Sequence, residues 1–135
     1  MEMKEQCRRE VVELHAFFEA WYRGALPETD EAFDRFASVL APGFHIVSPD
    51  GRVHDREMAL AGVRGGYGKR GIRIRIEGCV HRVSEGETIL ATYEEWQEEG
   101  EAMRGWVSSV LFRVNGGAPN GIEWLHVHET YLPVG

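Results

Sequence analysis

Apolar residues in the first part of the chain recur at helical intervals. Cys7, Val11, Leu14, Phe18, Trp21 and Ala25 lie three or four positions apart, and Arg8, Arg9, Glu10, Glu13 and Glu19 fall mostly on the other side. The pattern predicts a long amphipathic helix from about Glu2 to Gly24, ended by Gly24 and Pro27. A second helix is expected to begin in Glu28-Thr29-Asp30-Glu31, with Thr29 or Asp30 as cap and the acids at the positive end of its dipole. Phe33, Phe36, Ala37 and Leu40 form its inward side, and Pro42-Gly43 stops it. Phe44–Ser48 reads as a short strand, Pro49-Asp50-Gly51 as a turn and Arg52-Val53-His54 as the returning strand. Asp55 then caps a third helix, with Met58, Ala59 and Val63 inward and Gly65, Gly66 and Gly68 at its end.

From Ile72 the period changes from helical to two. Ile72, Ile74 and Ile76 alternate with Arg73, Arg75 and Glu77, which is the signature of a strand with one apolar face. Turns at Ser84-Glu85-Gly86-Glu87 and Glu98-Glu99-Gly100-Glu101 and a longer loop at Asn115–Gly121 separate strands Thr88–Gln97, Met103–Val114 and Ile122–Leu132. Four long strands joined in this way read as an antiparallel meander. The last two carry large groups on both faces: Val107 and Leu111 opposite Trp106, Val110 and Phe112, then Ile122, Trp124 and Leu132 opposite Leu125, Val127 and Tyr131. Helices can cover one such face. The outer one is expected to pack on a second copy of the chain, giving a homodimer.

The 135 residues suit one domain, 1–135, with neither repeat nor linker, and 43% hydrophobic and 27% charged residues are ordinary for a globular protein. A formal charge of −7 argues against nucleic acid and anionic membrane as partners. The local basic group Lys69, Arg70, Arg73 and Arg75 reads as a solvated face. Cys7 and Cys79 lack metal spacing and read as free thiols of a cytoplasmic protein. The charged N-terminus contains no signal-peptide core, and no apolar run approaches a membrane span. Neither a GxSxG elbow nor a GxGxxG loop after a strand is present.

The order helix, helix, short hairpin, helix, four-stranded meander resembles the nuclear transport factor 2-like (NTF2-like) superfamily, the SnoaL-like or cystatin-like α+β cone, in a branch without assigned function. Phe44–Gly51 with Arg52–Glu57, Ile89–Glu95, and Trp124-Leu125-His126-Val127-His128-Glu129-Thr130 carry the likeness. The resemblance implies an α+β fold in which a curved antiparallel sheet forms a cone-shaped barrel around a pocket closed by the first helix, with the outer face in a dimer. It implies a small organic ligand, and acid–base chemistry of isomerase, dehydratase or cyclase type without a cofactor. The alternative is a non-catalytic association or accessory domain.

Pocket candidates follow from strand parity. His126 and His128 stand two apart, so a regular strand points both to one face with Trp124 and Thr130, roughly 6–7 Å apart. They read as pocket handles, as structural residues, or as a metal pair in need of a third ligand such as Glu94 or His45; no metal is expected. Glu94 and Glu95 face opposite ways, so one enters the pocket as an acid or base, and Glu94 is favoured. Tyr22 and Tyr93 can bury a ring while presenting a hydroxyl, and His45 lies at the rim or the surface. His15 reads as a helix-face residue, and His54 as part of the turn into the third helix.

Overall fold

The computed structural model describes residues 2–133. Helix α1 (Met3–Tyr22) buries Cys7, Val11, Leu14, Phe17 and Trp21, together with Glu10 and His15. Helix α2 (Asp30–Ala37) is capped by Thr29, whose hydroxyl accepts from the Ala32 N–H at 3.1 Å. Strands β1 (Leu40–Val47) and β2 (Val53–Asp55) form the short hairpin, and helix α3 (Arg56–Gly65) follows, its Asp55 cap accepting from Met58 N–H at 2.9 Å. The long strands are β3 (Ile72–Glu85), β4 (Thr88–Glu99), β5 (Ala102–Val114) and β6 (Ile122–Tyr131).

The six strands make one sheet in the order β2-β1-β6-β5-β4-β3. The expected meander from β3 to β6 is antiparallel throughout. However, β1 pairs with β6 in parallel, so the sheet is mixed, and its edges β2 and β3 do not meet, so the curved sheet is not a closed barrel. Leu40 departs from expectation too. The Trp124 N–H donates to Val39 O at 2.7 Å, and this sheet bond captures the chain, so Leu40 pairs with Trp124 as the first residue of β1 rather than extending α2. Pro42-Gly43 fall instead within a register irregularity of that strand, where a missing N–H is tolerated.

Two glycines shape the sheet. Gly78 takes a φ of 59° where the β3–β4 register shifts between Glu77 and Val80, and such a bulge adds bend and twist. Gly105 lies under the Trp96 ring, where a Cβ would stand 2.4 Å from it. The helices pack inside the curve. Trp21 Nε1 donates to Val63 O at 2.9 Å and joins α1 to α3, while Phe17, Trp21, Phe33 and Phe36 form an aromatic layer between α1 and α2. Among the described residues no helix is long and apolar enough to cross a membrane.

Glu10, expected on the polar side of its helix, is fully buried. Its Oε1 accepts from Arg35 Nη2 at 2.8 Å and Asn120 Nδ2 at 3.0 Å; its Oε2 accepts from Arg35 Nη1 at 3.2 Å and Trp124 Nε1 at 2.8 Å. A carboxylate taken from water survives only with partners of this kind, and removing one member leaves the others buried and unpaired. Glu10→Ala is expected to cost about 3–5 kcal/mol in urea unfolding. The exposed Glu28→Ala should change stability by under about 0.5 kcal/mol. Equal midpoints for the two variants would contradict this role.

Candidate binding and acid–base site

Inside the curve of the sheet lies a cavity of ≈ 440 Å³. Leu14, Phe18 and Tyr22 line it from α1, Met58, Ala59 and Val63 from α3, and Phe44, Ile46, Tyr93, Trp106, Trp124 and Val127 from the sheet. Its polar groups include His15, His54, Arg70, Glu95, Gln97 and Glu129. Tyr22 and Tyr93, two of the sequence candidates, are therefore in the wall. Gly66 makes room for the Tyr22 ring, since a Cβ there would come within 2.6 Å of Cε1, and the Arg70 guanidinium sits 5.1 Å from the ring centroid.

The other four candidates lie on the opposite side of the sheet. In β4 the buried positions are Ile89, Ala91, Tyr93, Glu95 and Gln97, so the inward carboxylate is Glu95 and not Glu94. Glu94 shares the outer face with Trp96 and accepts from its indole N–H at 3.1 Å. In β6 a bulge breaks the regular alternation: Phe112 pairs with Trp124 and the adjacent Leu111 with His126, leaving Leu125 as the extra residue. Trp124, Val127 and Glu129 consequently face the cavity, while His126 and His128 face outward with ring centroids 6.4 Å apart. His45 is exposed and pairs with His126, alternating with the cavity residues Phe44 and Ile46. Among the described residues no three His, Cys, Asp or Glu side chains are grouped as metal ligands would be.

The polar floor centres on His15, 5% exposed, and Glu95, 4% exposed. His15 Nδ1 lies 2.7 Å from Val11 O, and Nε2 lies 3.0 Å from Glu95 Oε1. A carbonyl can only accept, so Nδ1 carries a hydrogen. The Nε2 contact then also needs a proton, held by one partner or the other. Burial alone would disfavour both charges. The opposing charge and the direct hydrogen bond outweigh it, raising the His15 pKa and lowering that of Glu95. Glu95 also accepts from Gln97 Nε2 at 2.7 Å and Trp106 Nε1 at 3.1 Å. The pair is thus biased toward its imidazolium–carboxylate form. Beside it, burial first and the Glu95 charge second push Glu129 up to about 8, so at neutral pH it is a carboxylic acid. Burial likewise raises the Tyr93 hydroxyl well above its usual range. The cavity therefore offers hydrogen-bond donors from Glu129 and Tyr93 at its polar end, against an apolar wall. The thiols Cys7 and Cys79 are free, and burial pushes Cys7 up to about 11, which suppresses a nucleophilic thiolate.

His15 and Glu129 were absent from the sequence candidates. Helical arithmetic contained a signal for His15, which lies four after Val11 and three before Phe18 and so within the apolar stripe. Glu129 needed the bulge at Leu125, which pattern alone does not reveal.

This architecture, an open curved sheet wrapped around a helix-covered pocket, is the NTF2-like fold. It matches an NTF-2-like protein of unknown function from Pseudomonas aeruginosa with a TM-score of 0.85, at 26% identity over 95% of this chain and 99% of that one. An NTF2-like protein from Cytophaga hutchinsonii gives a TM-score of 0.70 at 12% identity, over 98% and 100% of the two chains. Within that fold the sequence profile "Sucrose-6-phosphate phosphohydrolase C-terminal" matches residues 7–133, and the chain belongs to this family. Sucrose-phosphatase 2 of Nicotiana tabacum is 28% identical over 128 residues, which is 91% of this chain but 30% of the tobacco protein. The chain thus spans under a third of the length of that relative.

The Glu129 shift has a definite sign. Its folded pKa, about 8, lies above the ordinary 4.5, so its stabilising protonation is complete below about 4.5 and is lost as pH rises through about 8. His15, also raised, adds loss in the same direction, whereas Glu95, lowered, loses its contribution only in acid. The melting temperature is expected to fall from pH 5 to pH 9, and Glu129→Gln should flatten that slope. Parallel wild-type and variant profiles in calorimetry would show that Glu129 holds no proton in the folded protein.

Proposed function

We propose that the cone binds a compact organic molecule, apolar over most of its surface, with an oxygen-bearing group directed at His15, Glu95 and Glu129. The observation that carries this reading is a ≈ 440 Å³ cavity with an aromatic and aliphatic wall and these three groups gathered at one end. That is the size and composition of small-molecule sites in general. The arrangement suits acid–base chemistry without a cofactor. Glu129 would donate its proton to a carbonyl or departing hydroxyl oxygen, while His15, whose two ring nitrogens are taken up by Val11 O and Glu95, would fix the Glu95 carboxylate beside it.

The family supports a second reading: an accessory domain beside a phosphatase acting on a sugar phosphate. The cavity floor itself is poorly suited to a phosphate, because a dianion there would meet the Glu95 carboxylate. Arg70, the arginine in the cavity wall, is already held by Glu99 at 2.8 Å.

Trp106 and Trp124 line the cavity and report its occupancy. Titration with the uncharged probe 4-phenylbutanol is expected to quench their fluorescence saturably. Ala59→Phe, which fills the cavity from α3, should abolish the effect and leave unfolding cooperative. Unchanged quenching in that variant would place binding elsewhere. Binding of sucrose 6-phosphate that survives Ala59→Phe, without binding of the alcohol, would favour the accessory reading.

The proposal extends to a homodimer through the outer face. Leu90 and Leu111 pair across β4 and β5 there, beside Trp96 and the exposed Val107. Sedimentation equilibrium is expected to give twice the 15.3 kDa chain mass, and Val107→Lys should shift it toward one chain. A wild-type monomer at micromolar concentration would overturn the dimer.

A further inference from the structure

The cone cavity opens beside a second, shallower hollow of ≈ 330 Å³, and the two share His54, Arg70, Gln97 and Trp106. The character of the lining changes across those shared residues. The cone is walled largely by carbon, and its two carboxyl groups adjoin the shared residues, since Gln97 and Trp106 both donate to Glu95. The outer hollow brings together Arg52, Arg70 and Arg104, with Tyr131 beside them. These arginines come from three separate places in the fold: the end of the β1–β2 turn, the approach to β3, and the start of β5.

Their existing partners do not balance them. Arg52 Nε lies 3.3 Å from Asp50 Oδ2, and Arg70 is held by Glu99. Arg104 forms no ion pair among the described residues, and its side chain is exposed at the hollow. With Asp50 and Glu99 counted against Arg52 and Arg70, one guanidinium charge is left over at the mouth, in a protein whose overall charge is −7. A planar guanidinium over a cavity entrance matches a carboxylate or phosphate oxygen pair, and the low-dielectric wall behind it strengthens the attraction.

Resting on the cone as the binding site, we propose that the mouth formed by Arg52, Arg70 and Arg104 is an anion subsite, and that the ligand is an amphipathic organic acid. Its carboxylate or phosphate monoester sits at the arginines and its apolar body fills the cone. An oxygen beside the head group meets Glu129, and the apolar body lies beyond it. Anchoring the acid at the mouth fixes which end of the molecule enters the cone first.

The test compares three probes with one carbon skeleton, 4-phenylbutanol, 4-phenylbutyrate and 4-phenylbutyl phosphate, by calorimetric titration at low ionic strength. At least one anion is expected to bind about tenfold tighter than the alcohol, as a charge-assisted contact at a partly exposed site implies. Whichever anion gains more identifies the head group. Arg104→Gln, at an exposed position, should remove the margin and leave the affinity for the alcohol unchanged. If the alcohol binds and neither anion binds tighter, or if the margin survives Arg104→Gln, the anion subsite is overturned and the cone reading stands. If no probe binds, both are overturned.

Discussion

The placement of α1 depends on one buried carboxylate. Glu10 accepts four hydrogen bonds from Arg35, Asn120 and Trp124, which belong to α2, the loop before β6, and β6 itself. These donors are 25, 110 and 114 positions away in sequence. Apolar packing tolerates small slides of a helix along a sheet, because one methyl group substitutes for another. A desolvated carboxylate does not: a shift of one turn, about 5.4 Å, would strand its charge from all three partners. Glu10 therefore sets the register of α1 on the sheet. His15 lies five residues on, about 7.5 Å along the axis, and the same constraint delivers it to Glu95.

What His15 meets there is a division of labour between two carboxyl groups a short distance apart. Glu95 has an imidazolium and two further donors, and it stays charged. Glu129 is less buried than Glu95, but desolvation and the Glu95 charge together push it up to about 8. Environments that push two titratable groups apart in this way separate a proton donor from a fixed negative charge. In that state the trio carries no net charge, which lowers the cost of holding it against an apolar wall.

The fold was legible in the sequence because its evidence is periodic. The helical stripe in α1, the Thr29 and Asp55 caps and the alternation in β3 to β5 all depend on neighbours within a few residues, and each appears in the structure where the pattern put it. The site was legible only in part. Tyr22 and Tyr93 line the cavity. His126 and His128 were assigned inward by strict alternation, and the single extra residue Leu125 reversed them. Glu10 and His15 were overlooked for another reason: their residue types suggest solvent, while their spacing on the stripe indicates burial. A polar residue at an apolar position is informative because burying it is costly, and here both such residues connect α1 to distant parts of the chain.

Family and fold answer different questions about such a site. Membership of the Sucrose-6-phosphate phosphohydrolase C-terminal family and the NTF2-like architecture specify the scaffold, and neither specifies what the scaffold's cavity accepts. The cavity chemistry has its own direction: guanidinium charge at the mouth, Glu129 and the His15–Glu95 pair next to it, and carbon beyond. A molecule polar over its whole surface, such as a sugar, would leave many hydroxyls facing Phe18, Phe44, Ile46 and Val127 without partners, and each unpaired group costs roughly 1–3 kcal/mol. A molecule with one polar end and an apolar body meets no such cost. Adding a charge at its outer end lets the arginines orient it before the cone encloses it. The change from a charged mouth to an apolar interior, rather than any single residue in it, is what speaks for the proposed amphipathic acid over a sugar phosphate.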